Sequence, residues 1–273
     1  MIHETGKDDT NHRLIHIVPK NGSFDDGTRQ FGSRFIEREI YIHFKNNWMD
    51  RLQVFFSDIS ELPKNNTLGT LYGRMFENHA LCCIENGEIL KRRNLVTQEI
   101  TDFKNEIVKT EYFDSIKELK PTVGTVYVSK SAIFTAIDFL TYDAKNFAAF
   151  NATTNSKHEL ILESLNGKSG LYRVCADLPN HTLKLDINDG KHSGLFSKKS
   201  GEKSIVEFNF VVPEKYFNDF KKPPTLNWKY KTSSLSDRMK STFENCINFY
   251  VISIPKPKNV RQFHTIARRI FRK

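Results

Sequence analysis

The chain lacks most of the signals that mark a specialised class of protein. Four cysteines occur among 273 residues, without a Cys-x-x-Cys pair or a Cys/His spacing suited to a tetrahedral zinc site. No window approaches the roughly 18 apolar residues of a membrane-spanning helix. The first thirty residues lack the apolar core of a secretion signal. These absences exclude a zinc module and a disulfide scaffold, and predict free thiols, no membrane span and no visible export signal.

Positive charge and aromatic residues are what the chain does carry. Apolar residues make up 38% of it and charged residues 27%, with 22 phenylalanines, so there is enough apolar surface for a globular fold. The net charge of +9 favours phosphate-bearing partners or anionic membrane surfaces. We predict a loose, turn-rich leader at 1–30, one α/β domain at 31–255 and a basic tail at 256–273.

Helical spacing of apolar residues predicts helices in the first half of the domain. Between Phe35 and Phe56 these residues recur about four apart, at Ile36, Ile40 and Phe44 among others, which indicates an amphipathic helix or helix pair. A second helix is predicted over Leu71–Ile84, because Asn86-Gly87 stops the pattern. A third, shorter helix is predicted over residues 158–165, ended by Asn-Gly.

Short aromatic and β-branched segments predict the sheet. Three of them, at 124–129, 132–140 and 146–153, are separated by turn residues and are predicted to be adjacent strands. The charged stretch 98–122 is interpreted as a connecting excursion. A short strand launched by Gly87 and further strands at 171–174 and 205–212 are predicted, with a Gly- and Lys-rich loop at 189–203.

Three polar residues stand among apolar neighbours on these elements, and they predict a shared site. Glu77 lies on the second helix, Asp138 at the end of a strand, and Asn151 on the next strand, where period-two alternation puts it on one face with Thr153. Oxygen ligands of this kind suit Mg²⁺. The alternatives are an ion pair between Glu77 and Arg74, and a turn cap at Asp138.

A lysine beside such a metal would stabilise charge at a scissile phosphate. Lys157 is the nearest candidate along the chain and Lys145 the second. Other basic residues are candidates for contacts with nucleic-acid phosphates: Lys91, Arg92, Arg93, Arg261, Arg268 and Arg269. The last three belong to the basic tail, for which a phosphate-binding arm, a lipid-contacting helix, a nuclear-import signal and ordinary surface are all open interpretations.

Four segments together resemble a known family. They read GRMFENHALCCIENGEILKRRNL, VSKSAIFTAIDFL, FAAFNATTNSKHEL and FNFVVPEKYFNDF, and span about residues 70–220. Their order and wording are similar to the C-terminal nuclease-like domain of Crinkler effectors and related retrotransposon-hot-spot-type proteins. The resemblance implies a restriction-endonuclease-like fold, in which a central mixed sheet is flanked by helices, here followed by the basic C-terminal extension.

The resemblance also implies a function and site roles. Glu77 matches the family's helical acid, Asp138 its central metal ligand, and Asn151 the position of a Glu or Gln. Thr153 stands where the superfamily has its lysine, which leaves Lys157 as a displaced substitute. The implied protein is a secreted effector that acts in a host nucleus on DNA or RNA, with Mg²⁺ as cofactor. Full-length relatives carry an upstream P-loop NTPase module, and this chain has no Gly-x-x-x-x-Gly-Lys-Ser/Thr stretch.

Three functions are compatible with these residues. The first is a metal-dependent nuclease that cleaves DNA or RNA phosphodiesters with Glu77, Asp138, Asn151 and Lys157. The second is a catalytically inactive domain of the same fold that binds nucleic acid. The third is a scaffold for host proteins that docks through the Phe-rich N-terminal helices. Metal-dependent cutting of nucleic acid distinguishes the first from the second.

Overall fold

The computed structural model describes nine stretches of the chain. These are residues 15–20, 23–58, 67–130, 137–142, 147–154, 160–161, 206–224, 226–227 and 247–257. The chain divides into two compact units, which we call the N-terminal unit, Met1–His79 with Lys256–Lys273, and the sheet unit, Ala80–Pro255. The predicted single domain, residues 31–255, therefore spans parts of both units.

The N-terminal unit contains a β-hairpin and three helices, the last of them up to His79. Strands β1 (Ile15–Lys20) and β2 (Ser23–Phe31) pair antiparallel. They lie in the stretch predicted to be a loose leader, so that prediction is wrong for these residues. The helices are α1 (Arg34–Asn47), α2 (Met49–Asp58) and α3 (Thr67–Glu85). Among the described residues, no helix is both long and apolar enough to cross a membrane.

Local signals explain where α1 begins and ends. The Ser33 hydroxyl accepts a hydrogen bond from the Ile36 backbone N–H at 3.2 Å, which satisfies one of the free donors of the first turn. Trp48 ends the helix and its own N–H donates to the Phe44 carbonyl at 2.8 Å. The predicted helix pair is thus confirmed, with its break at Trp48.

The buried face of α1 differs from the predicted one. Ile36, Ile40 and Phe44 are only half-buried, while Arg34, Glu37 and Tyr41 are buried. The apolar spacing therefore located the helix correctly but indicated the wrong face. The physical reason is that α3 supplies polar partners for this stripe, as described below, and those partners are distant in the sequence.

The sheet unit is built on one mixed eight-stranded sheet. Its strands lie in the order β4-β3-β12-β10-β8-β7-β6-β5. The strand bounds are β3 Leu90–Asn94, β4 Ile100–Phe103, β5 Lys109–Phe113, β6 Thr125–Ser129, β7 Phe139–Tyr142, β8 Phe147–Ala152, β10 Val206–Pro213 and β12 Ile247–Ile254. Strands β8, β10 and β12 run parallel to one another, as do β5 and β6, and the remaining neighbours are antiparallel. The predicted α/β class with a mixed sheet is confirmed.

The centre of this sheet is aromatic and aliphatic. Phe208, Phe210 and Val212 of β10 are fully buried and belong to a core with residues of β8 and β12. A central strand covered on both faces is expected to be a nearly continuous apolar run, and the sequence from 206 to 213 departs from this only at Glu207 and Asn209. Pro213 is the last residue of the strand.

The sequence-based strand predictions hold in part. The adjacent strands β6, β7 and β8 are confirmed, although β7 begins at Phe139 and residues 131–136 lie outside the described part. The excursion predicted at 98–122 instead contains β4, β5 and a 3-10 turn at Ile116–Glu118. Strand β12 was not predicted, although its sequence INFYVISI is apolar.

A small third sheet occupies a segment predicted to be helical. Strands β9 (Leu160–Ile161) and β11 (Leu226–Asn227) pair parallel. The helix predicted at 158–165 is therefore wrong at residues 160–161. The strand predicted at 171–174 and the loop predicted at 189–203 lie outside the described residues.

Two glycines, Gly73 within α3 and Gly87 just after its C-terminal end, are expected to change stability in opposite directions when each is replaced with alanine. Gly87 has φ +64°, and an added Cβ would lie 3.2 Å from the Asn105 carbonyl oxygen, so Gly87→Ala is expected to destabilise by about 1–2 kcal/mol. Gly73 lies within the helix with nothing within 4 Å of an added Cβ, so Gly73→Ala is expected to stabilise by about 0.5–1 kcal/mol. Urea unfolding measures both, and the same sign for both variants would contradict the expectation.

Candidate functional site

Glu77 is held by two arginines. The Arg34 guanidinium on α1 forms an ion pair with Oε1 of Glu77, and Nη1 of Arg74 donates to Oε2 at 3.1 Å. Arg34 is 6% exposed and Glu77 13%. The alternative interpretation of Glu77, an ion pair with Arg74, is thereby confirmed, and Arg34 adds a second partner that the sequence did not indicate. Both oxygens of the predicted helical acid are engaged within the N-terminal unit.

A second carboxyl group lies beside this pair. Glu37 is 6% exposed and accepts a hydrogen bond from Nδ2 of Asn78 at 3.0 Å. Burial, followed by the negative charge of Glu77, raises the pKa of Glu37 from its usual 4.5 to about 7, while Arg74, Arg34 and Asn78 act in the opposite direction. The N-terminal unit therefore contains a buried carboxyl group that takes up a proton near neutral pH.

These contacts form one polar stripe between α1 and α3. Arg34, Glu37 and Tyr41 follow at intervals of three and four residues, so they share a helix face. The stripe ends where the Tyr41 hydroxyl and Nδ1 of His79 lie 2.7 Å apart, both residues buried. The residues missed by sequence reasoning, Arg34 and Glu37, were identifiable only as polar positions at helical spacing.

Asp138 joins two strands of the sheet unit. Its backbone N–H donates to the Phe150 carbonyl at 2.8 Å, and its Oδ2 accepts from the Ala152 N–H at 2.7 Å. The carboxylate thus lies just before β7 and contacts the backbone on the C-terminal side of Asn151. The structure brings these two predicted site residues together at one end of the sheet, as their spacing suggested.

Asn151 has a buried acceptor without a partner. It is 7% exposed, and among the described residues its Oδ1 has no hydrogen-bond partner. Alternation along β8 puts Asn151 on the face of Phe147 and Ala149, which belong to the core, and its register partner on β10 is Phe210. A buried unpaired carbonyl costs about 1–3 kcal/mol unless a water, an ion or a ligand satisfies it.

Two further buried polar residues lie at neighbouring positions of these strands, and alternation along β10 puts Asn209 on the face of the sheet opposite to Phe210 and Asn151. Thr153, also buried, donates its N–H to the Val211 carbonyl at 2.9 Å, so the chain leaving β8 stays attached to β10. Asn209 of β10 is fully buried, and among the described residues its Oδ1 likewise has no hydrogen-bond partner. Its Nδ2 donates to the Ala149 carbonyl at 3.4 Å. Sequence reasoning missed Asn209, although an Asn between two phenylalanines of a strand is a visible signal.

The described residues supply a poor set of ligands for Mg²⁺. Within the sheet unit, Asp138 offers one carboxylate and Asn151 one neutral oxygen, whereas Mg²⁺ favours anionic oxygens. Glu77 belongs to the other unit and its oxygens contact guanidinium groups. Over the described stretches, no cluster of three or more His, Cys, Asp and Glu side chains suits a metal. These residues do not fit the implied ion, and the convergence of Glu77 with Asp138 stays a prediction.

The basic residues of β3 are engaged to different degrees. Arg93 is buried, donates to the carbonyls of Phe217 and Phe220, the latter at 2.5 Å, and lies 4.6 Å from the Phe217 ring centroid. Arg92 is half-buried and pairs with Glu207 at 2.8 Å. Lys91 pairs with Asp102 at 2.6 Å, with both side chains exposed. Of these three, Lys91 is the one that a phosphate reaches most readily.

The remaining predicted site residues lie outside the described part of the chain. They are Lys145, Lys157, Arg261, Arg268 and Arg269. Their assignments stay predictions.

The fold alone defines the class of this protein, because the comparisons with known proteins supply no relative. No family model, no curated protein and no solved structure matches this chain. What the described residues define is an α/β protein with a mixed eight-stranded sheet.

Proposed function

We propose that this chain is a Crinkler-like effector domain of restriction-endonuclease-like fold that binds nucleic acid without cleaving it. The supporting observation is the use of the predicted catalytic acids. Glu77 is neutralised by two guanidinium groups, and Asp138 accepts a hydrogen bond from the backbone of β8. The domain thus keeps the order of the nuclease motifs while its acids stabilise the fold.

Charge supports nucleic acid as the partner. The net charge of +9 attracts phosphates, and Lys91 is an exposed cation on β3. In the basic tail, phosphate contacts are predicted at Arg261, Arg268 and Arg269 as well. Binding that rests on phosphate contacts is expected to weaken steeply as salt concentration rises.

The same proposal includes the setting in which the domain acts. By its resemblance, the protein is secreted into a host cell, acts in the host nucleus and contacts host proteins there. Full-length relatives would join it to an upstream P-loop NTPase module. These elements rest on the motif resemblance of residues 70–220 alone.

Metal-dependent cleavage of DNA or RNA is a second candidate function. One observation favours it, namely the unpaired Oδ1 of Asn151 beside the carboxylate of Asp138 at the same end of the sheet. Those two residues would bind Mg²⁺ only with ligands from elsewhere in the chain, and Lys157 is the predicted lysine.

A cleavage assay with matched variants separates the two functions. The purified chain, Asp138→Asn and the control Asp219→Asn are incubated with plasmid DNA and with RNA, in Mg²⁺, Mn²⁺ or EDTA. Asp219 is an exposed acid in the turn after β10, so its variant tests for general charge effects. We expect all three proteins to bind both nucleic acids and to cut neither.

The contrary result is equally specific. Metal-dependent cutting by the wild type and by Asp219→Asn, abolished in Asp138→Asn, would replace the binding proposal with the nuclease candidate. If the wild type binds neither nucleic acid at low salt, the binding proposal and the nuclease candidate are both contradicted. The binding of Lys91→Ala is measured across a salt series. The slope of the logarithm of its binding constant against the logarithm of the salt concentration is expected to be less steep by about one phosphate contact.

A further inference from the structure

The junction between α1 and α2 exposes an aromatic ring. Trp48 ends α1 and is 45% exposed, although large aromatic side chains usually bury most of their surface. Its carbonyl accepts a hydrogen bond from the Leu52 N–H at 3.0 Å, so its backbone is fixed on both sides. The ring is therefore displayed from an ordered helix junction.

Neighbouring side chains also hold the ring in place. The rings of His43 and Phe44 meet the indole edge to face, each with centroids 5.1 Å apart and with interplanar angles of 88° and 75°. The Arg51 guanidinium lies 5.6 Å from the indole centroid, which is within the range of a cation–π attraction. A ring fixed in this way loses little conformational freedom when a flat ligand stacks on it.

The charge around the ring is positive. The Arg51 guanidinium lies against it, Lys45 lies three residues before Trp48 in the last turn of α1, and over the described stretches neither cation forms an ion pair. Between His43 and Arg51, Asp50 is the single acidic residue. Arg51 is exposed, so its cationic group is available to a phosphate. An exposed indole beside two cations without acidic partners is the combination that single-stranded nucleic acid recognises.

We propose that Trp48 is a stacking platform for a base of single-stranded nucleic acid, with Lys45 and Arg51 contacting the adjacent phosphates. This inference rests on the proposed function and specifies a binding site for it. Positive charge favours a nucleic acid over a protein segment as the occupant, because an apolar protein partner has no use for two cations. The site lies wholly within the N-terminal unit.

Tryptophan fluorescence tests the inference directly. The chain has two tryptophans, so Trp228→Phe leaves Trp48 as the only reporter. Oligothymidylate and oligouridylate are titrated into this variant, with inorganic polyphosphate as an anion that carries no bases. We expect saturable quenching by the oligonucleotides and none by polyphosphate. Trp48→Ala is expected to weaken oligonucleotide binding about 5- to 100-fold, measured by the anisotropy of a labelled strand.

Controls separate stacking from folding and from the proposed function itself. Trp48→Phe keeps an aromatic ring and is expected to bind more tightly than Trp48→Ala, and Val54→Ala alters an exposed apolar residue of α2 and is expected to bind like the wild type. If Trp48→Ala binds as tightly as the wild type, the inference is overturned and a protein-facing role of the junction takes its place. If the wild type binds no oligonucleotide, the proposed function fails as well.

Discussion

Replacement of Glu77 with alanine is expected to lower the free energy of unfolding of the N-terminal unit by about 3–5 kcal/mol. The variant removes the carboxylate that pairs with Arg34, whose side chain is almost completely buried. The buried guanidinium then loses the carboxylate that offsets much of the cost of its lost hydration. Urea unfolding in the Trp228→Phe background, followed by the fluorescence of Trp48, reports on this unit.

Two matched variants show whether burial is the cause. Arg74→Ala removes the more exposed partner of Glu77 and is expected to cost only about 0–1 kcal/mol, since Arg74 is 28% exposed. The double variant Arg34→Leu with Glu77→Leu removes both buried charges and is expected to recover part of the loss. A stable Glu77→Ala protein that had lost a metal-dependent activity would instead assign Glu77 to catalysis.

The second large effect is a dependence of stability on pH. Because the pKa of Glu37 is about 7 in the folded state and 4.5 in its usual environment, the folded state holds the proton more tightly. The stabilisation from this group is complete below about pH 4.5 and is lost as pH rises towards 7. The unfolding free energy is thus expected to fall by about 3 kcal/mol over that interval.

Glu37→Gln tests this directly, because glutamine cannot ionise. The variant is expected to match the wild type at pH 4 and to exceed its unfolding free energy by about 3 kcal/mol at pH 8. Glu39→Gln, at an exposed position on the same helix, serves as the control for the removal of one negative charge from α1. Equal slopes for the wild type and Glu37→Gln between pH 5 and 8 would contradict the assignment.

The two predictions bear on the proposed function through Glu77. If Glu77 and Arg34 form a structural pair, the acid of the first of the four motifs serves as a contact between α1 and α3. In that case, the proposed binding function is compatible with the presence of the acid, because its oxygens are engaged by guanidinium groups. The order of motifs can then persist in a domain that only binds nucleic acid.

Sequence reasoning located several elements because their signals are local. The helix over Leu71–Ile84 is confirmed within α3, and Gly87 stops it with a positive φ that glycine adopts without strain. The neighbouring strands β6, β7 and β8 were found because strands that follow one another in the sequence usually lie next to one another in the sheet. The contact of Asp138 with the backbone beside Asn151 followed from that same adjacency.

Other features could not be read from local pattern. Strand β12 lies between β3 and β10, and both are far from it in the sequence. It pairs antiparallel with β3 and parallel with β10. The burial of Arg93 depends on two carbonyls more than a hundred residues away. Nothing in the local sequence of Lys91-Arg92-Arg93 indicates that Arg93 is buried and Lys91 is exposed.

By itself, the amino-acid sequence determined the α/β class, the positive charge, the C-terminal end of α3 and the consecutive strands β6, β7 and β8, since spacing, capping and composition act over a few residues. The tertiary structure alone decided which polar groups became buried. Arg34 and Glu77 are 43 residues apart, and their pairing depends on the packing of α1 against α3. Burial then changes the energy of each charge and amide, so the roles of Glu37, Glu77 and Asn151 follow from packing rather than from residue type.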